Sequence, residues 1–145
     1  MNTMTLKGIA CVAMLFGAWP ANQDTLATID SLVAATPDKV LETWGVPNRV
    51  TASACALSFE YDGEQSENAR FVFHDGIAVV VPAATVRPKA RTTPPAKQLY
   101  VGQSLRDALA HFGAAESTVQ SAMSLEVRLG GKRVGVAHGR IVSVR

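Results

Sequence analysis

Thr36-Pro37-Asp38-Lys39-Val40-Leu41-Glu42-Thr43-Trp44-Gly45 is the stretch that decides how this chain is read. Sixty-eight residues further on stands Ser104-Leu105-Arg106-Asp107-Ala108-Leu109-Ala110-His111-Phe112-Gly113. Each opens on a hydroxyl residue suited to cap a helix N-terminus. Each sets apolar side chains at matching places, 40, 41 and 44 in one and 108, 109 and 112 in the other, along one face of a short helix. Each stops at glycine, the residue best able to turn the backbone past a helix end. Pro37 adds a preset first-turn φ to the first stretch. Asp107, three residues after Ser104, gives the second a capping-box-like pair.

The likeness continues into extended segments. Cys55, Leu57, Phe59 and Tyr61 fall on Met123, Leu125, Val127 and Leu129 at the same offset, a period-two apolar face that places the Cys55 thiol in the core. Turn residues follow, Asp62-Gly63 in one and Gly130-Gly131 in the other, with extra polar residues from Glu64 to Asn68 lengthening the first hairpin loop. Phe71 to Gly76 then lines up with Val134 to Gly139. Asp75-Gly76 and His138-Gly139 read as two-residue hairpin turns. The last strands are Ile77 to Val81 and Arg140 to Val144. The expected fold class is α+β: two tandem repeats, each a short helix (or helix pair) packed on an antiparallel β-meander of three to four strands. One unit of this size buries too little surface to stand alone, so two units pack together.

Two segments frame the units. Thr25 to Ala35 carries Leu26, Ile29, Leu32 and Val33 at helical spacing, which gives the first unit an opening helix that the second lacks. Pro82 to Lys97 holds four prolines and four bases and reads as an extended linker, or as a basic strap for an anionic surface through Arg87, Lys89, Arg91 and Lys97. The resulting plan is a signal peptide over 1–21, a first helix-plus-sheet repeat over 22–82, a linker over 83–98 and a second repeat over 99–145.

The signal is legible in the first residues. Lys7 supplies a positive start, and Gly8 to Ala18 is an uncharged apolar run too short to span a bilayer, with small residues at Ala18 and Ala21 for cleavage. Cys11 is an apolar residue of that peptide or, alternatively, a lipidation site. The rest of the chain then holds one cysteine, Cys55, so no disulfide framework is built. The expected location is the bacterial periplasm or outside the cell, with no membrane span after cleavage.

Charge divides the chain. Residues 22–82 carry three bases against nine acids, a net −6, and residues 83–145 carry ten bases against three acids, a net +7. Either the halves attract one another, within a chain or between neighbours, or the basic half faces an anionic partner such as lipid or lipopolysaccharide.

A capped short helix ending in Gly45-Val46-Pro47, followed by an antiparallel meander in an exported chain, resembles the BamE (SmpA/OmlA) superfamily of small envelope proteins. Two such units in tandem resemble the layout of β-lactamase inhibitor proteins. The likeness covers most of the chain after the signal, carried by the capped helices with Trp44-Gly45 and Phe112-Gly113. It implies the fold class alone. The lipobox cysteine, the proline after Gly113 and the inhibitors' paired cysteines are all missing here.

No residue set points to a catalytic, cofactor or metal site. His74 and His138 stand beside turns and His111 on a helix, without ligand spacing. Glu60, Asp62, Glu64 and Glu67 make an acidic hairpin without a calcium-loop pattern. Few aromatics accompany the bases, which argues against nucleic acid. A two-residue turn at Asp75-Gly76 pairs Phe73 with Ala78 and Phe71 with Val80. It leaves Val72, Val79 and Val81 on the opposite face, joined there by Val142 and Val144. These valines are either covered by helices and the other unit or face a partner. The expected function is therefore a non-catalytic envelope module that binds or assembles with another envelope or secreted protein. A secreted enzyme inhibitor is one alternative, and a small hydrolase or metal-binding protein is another.

Overall fold

In the computed structural model, which describes residues 32–145 apart from 66, 84, 87 and 123, helix α1 (Pro37–Trp44) begins where the Lys39 amide donates to Thr36 Oγ1 at 3.4 Å. It ends at Gly45, whose φ of 86° falls in glycine's territory and whose amide donates to the Leu41 carbonyl. Helix α2 (Leu105–Phe112) is built alike: the Asp107 amide donates to Ser104 Oγ at 3.1 Å, and Gly113 has a φ of 79°. Val40, Leu41 and Trp44 of α1 are buried against a sheet, whereas α2 buries only Ala108.

Each helix is followed by four strands. β1 (Arg49–Ala52), β2 (Leu57–Asp62), β3 (Asn68–His74) and β4 (Ile77–Val80) form one antiparallel sheet in chain order. β5 (Ser117–Gln120), β6 (Leu125–Leu129), β7 (Lys132–Ala137) and β8 (Arg140–Val144) form the other. The architecture is thus α+β, with two antiparallel four-stranded sheets and two helices. Val50 pairs with Phe59 as Thr118 pairs with Val127, and each sheet carries a register shift in its last hairpin, at Val72/Phe73 and at Gly135/Val136. Asp75 (φ 53°) with Gly76 and His138 (φ 52°) with Gly139 make the tight turns that the sequence pattern predicts.

Several expectations change. Cys55 is exposed and is not a core thiol. A tight reversal, with the Ser53 amide donating to the Ala56 carbonyl at 2.8 Å, precedes the strand, so the buried face starts at Leu57. Val80 pairs with Val72, not with Phe71, because Val79 is the extra residue of a bulge. The same device in β8 separates Val142 from Val144. Val142 packs against the first core and Val144 against the second, so these two do not share a face. Leu32 to Ala34 form a turn, with Ala34 at φ 61°, so the helix expected over Thr25 to Ala35 does not reach its end. Its remainder, the signal segment and Cys11 lie outside the described residues.

The Pro-rich segment is tied to the first half. The Lys89 amide donates to the Asp62 carbonyl (2.7 Å) and the Val46 amide to the Thr92 carbonyl (2.8 Å). The Arg91 guanidinium donates to the Glu42 carbonyl, putting a cation at the C-terminus of α1, whose own last turn holds no base. Tyr100 and Val101 pack on the first core and Leu99 on the second, so the halves share this ground.

Candidate functional site

The halves meet where β8 lies beside β1. Val142 seats on the first core. His138 Nε2 stands 2.6 Å from the Ser53 carbonyl. A carbonyl only accepts, so that nitrogen carries the proton. Arg140, held in place by its second bond to the Gly102 carbonyl (3.2 Å), makes an ion pair with Asp38 in the first turn of α1. That bond holds the Asp38 carboxyl below the usual carboxylate range. Tyr100 lies close by. Burial raises its phenol, and the charges of Asp107 and Asp38 add to the rise while Arg140 opposes it.

Beside this junction opens a cleft of about 610 Å³. Asp38, Cys55, His74, Asp75, His138 and Arg140 all line it. The polar groups are mostly engaged with one another. His74 Nδ1 lies 3.2 Å from Asp75 Oδ2, while Asp38 and His138 serve the junction. Thiol catalysis needs a base in contact with the nucleophile. No hydrogen bond joins Cys55 to His74 or His138 among the described residues, and no three His, Cys, Asp or Glu side chains there are grouped to hold a metal.

A second kind of surface lies at the far ends. β4 closes the first sheet and β5 the second, each on the side away from the junction. The exposed large apolar side chains of the described residues all stand there: Val33, Ile77, Val79 (57%) and Val80 at the β4 end, and Val119 (65%) on β5. Of the valines singled out from sequence, Val79 alone is openly exposed. Val72 is half-buried, and Val81, Val142 and Val144 pack against the cores. Lys89 and Lys97 are exposed, Arg91 caps α1, and Arg87 lies outside the described residues. The acidic hairpin keeps Glu64 and Glu67 in solvent, while Glu60 pairs with Arg49 at 3.2 Å. His111 is exposed in the last turn of α2.

Sequence reasoning misses the Asp38–Arg140 pair, whose members are 102 residues apart. Its only trace in the sequence is the opposite charge of the two halves. No helix among the described residues is long and apolar enough to cross a membrane. The fold and these surfaces define an α+β protein with two sheets joined side by side, an exposed apolar cluster at the β4 end and one exposed valine on β5. Comparison with protein-family models, with curated proteins and with solved structures finds no match to this chain.

Proposed function

We propose that this chain is two copies of one BamE-like helix-plus-four-strand unit, serving as a non-catalytic protein-binding or assembly module of the bacterial envelope. The observation that carries the reading is the apolar end at β4, where Ile77, Val79 and Val80 face solvent together. Exposed apolar residues gathered at one place mark docking surfaces more often than they occur at random. The duplication is supported by position: caps, glycines and strand pairings recur 68 residues apart through β2 and β6, and the last hairpins recur 63 apart. The signal-like opening, Lys7 followed by the apolar run Gly8 to Ala18, supports a place for the module outside the cytoplasm.

A photocrosslinking residue at position 79, compared with one at position 111 on α2, tests the reading in cells. Adducts are expected from position 79 and not from 111. Adducts from neither position would remove it.

A further inference from the structure

We propose that the two outer sheet edges, β4 with its exposed apolar cluster and β5 with Val119, dock against each other between copies of this chain, which therefore associates head to tail. The inference rests on the duplicated-unit reading and goes past it by naming the occupant of the surface.

The chain carries its own template for this contact. Within one molecule the last strand of one unit, β8, lies against the first strand of the other, β1. The counterparts of these strands are β4 and β5, the two outer edges that no further strand of the described residues lies beside. The match extends to single residues. Val142 is the bulge residue of β8 and seats on the first core. Its counterpart Val79 is the bulge residue of β4 and stands in solvent. The strands are flanked alike: Ala34 and Ala35 exchange backbone hydrogen bonds with Ala78, as Gly102 and Gln103 do with Ile141. On the receiving side, β5 is exposed at all four residues.

Charge favours the same pairing. Such a contact joins the first unit of one copy, acidic over residues 22–82, to the second unit of the next, where residues 99–145 carry six bases against three acids, a net +3. Inside the chain the Pro-rich segment already brings bases to the acidic half, and of the ion pairs among the described residues only Asp38–Arg140 joins the two units. Between copies, Ile77 stands where Arg140 does and Arg106 where Asp38 does, so the second junction has no counterpart of that ion pair. A contact between two different surfaces repeats from copy to copy and gives open chains or rings, not closed two-fold dimers.

Sedimentation velocity of the purified chain over a concentration series, with circular dichroism as the folding control, tests this. The wild-type chain is expected to populate dimers and higher species, fewer as salt rises and screens the charges. Val79→Asp and Val119→Asp each place an unpaired carboxylate in the contact and are expected to weaken association by about tenfold or more. Both residues are exposed, so both variants keep the wild-type fold. The two variants mixed in equal amounts retain one intact pair of ends, β5 of one and β4 of the other. That mixture is expected to give dimers and nothing larger. A wild-type chain that stays monomeric into the millimolar range overturns the proposal, and so does association that the two substitutions leave unchanged or that mixing fails to restore. Should the purified chain stay monomeric while crosslinks at position 79 capture a different protein, self-association falls and the docking-surface reading stands.

Discussion

The first half of the molecule is packed with rings and the second with aliphatic branches. At matching positions Phe59, Tyr61, Phe71 and Phe73 have Val127, Leu129, Val134 and Val136 as counterparts, and Trp44 stands for Phe112. In the first core the rings meet edge to face, Trp44 on Phe71 at 5.0 Å and Phe59 on Phe73 at 4.9 Å. The Tyr61 hydroxyl, its acidity suppressed by burial, donates to the Gly45 carbonyl at 2.8 Å. The second core regains some volume with Ile141 where the first has Ala78. Two sheets with like strand order are thus filled differently, because period-two patterning fixes which face is buried and side-chain volume is settled among neighbours. The consequence appears in burial: α1 seats four residues and α2 one.

The strongest way to break this comparison is to cut one ring. Phe71→Ala is expected to cost about 4 kcal/mol in urea unfolding, against about 2 kcal/mol for Val134→Ala at the matching place. Equal losses would mean that the cores contribute alike.

The helix-ending glycines sharpen it further. Both adopt backbone that side chains rarely accept, so Gly113→Ala is expected to cost about 2 kcal/mol. A Cβ at Gly113 meets open space, whereas one at Gly45 meets the Thr92 carbonyl oxygen at a distance no real contact allows. Gly45→Ala is therefore expected to cost about 3 kcal/mol or more and to loosen the Pro-rich segment, seen as faster amide exchange at Val46. A smaller loss for Gly45→Ala than for Gly113→Ala would show that the segment does not bear on α1.

Caps should erase the difference. Thr36→Ala and Ser104→Ala each remove one amide acceptor and are expected to cost about 1 kcal/mol, alike in both halves, by thermal unfolding.

The smallest effect is at the junction. Asp38 has a folded pKa below its unfolded value, so its stabilisation is complete above about pH 4 and is lost as pH falls through the folded value. Asp38→Asn is expected to cost under about 1 kcal/mol at neutral pH, since the carboxylate is mostly exposed, and the gap to wild type should close on acidification. A gap that widens in acid would reverse the sign.

Much of the fold is legible in the amino-acid sequence. Both helices start at Thr36 and Ser104 and stop at Gly45 and Gly113 as their caps predict, because caps and left-handed glycines act within one turn of chain. The short turns at Asp75-Gly76 and His138-Gly139 are equally local. Apolar alternation starts the second strand too early, at Cys55, since alternation alone does not mark where Ser53 bonds back to Ala56. The valine faces mislead for a related reason: a bulge at Val79 and another at Val142 insert one residue, and one residue reverses every side chain beyond it.

The sequence by itself therefore determined the α+β class, the two capped helices, most strand positions and the opposite charges of the halves, all of which rest on contacts between near neighbours or on composition. Only the tertiary structure decided that β8 and not β4 covers β1, that Val142 packs on a core while Val79 is bare, and that Arg140 answers Asp38 across the junction. Those outcomes depend on which sheet edges fit against each other in space, and two edges of nearly the same pattern carry no local mark of which one will be used.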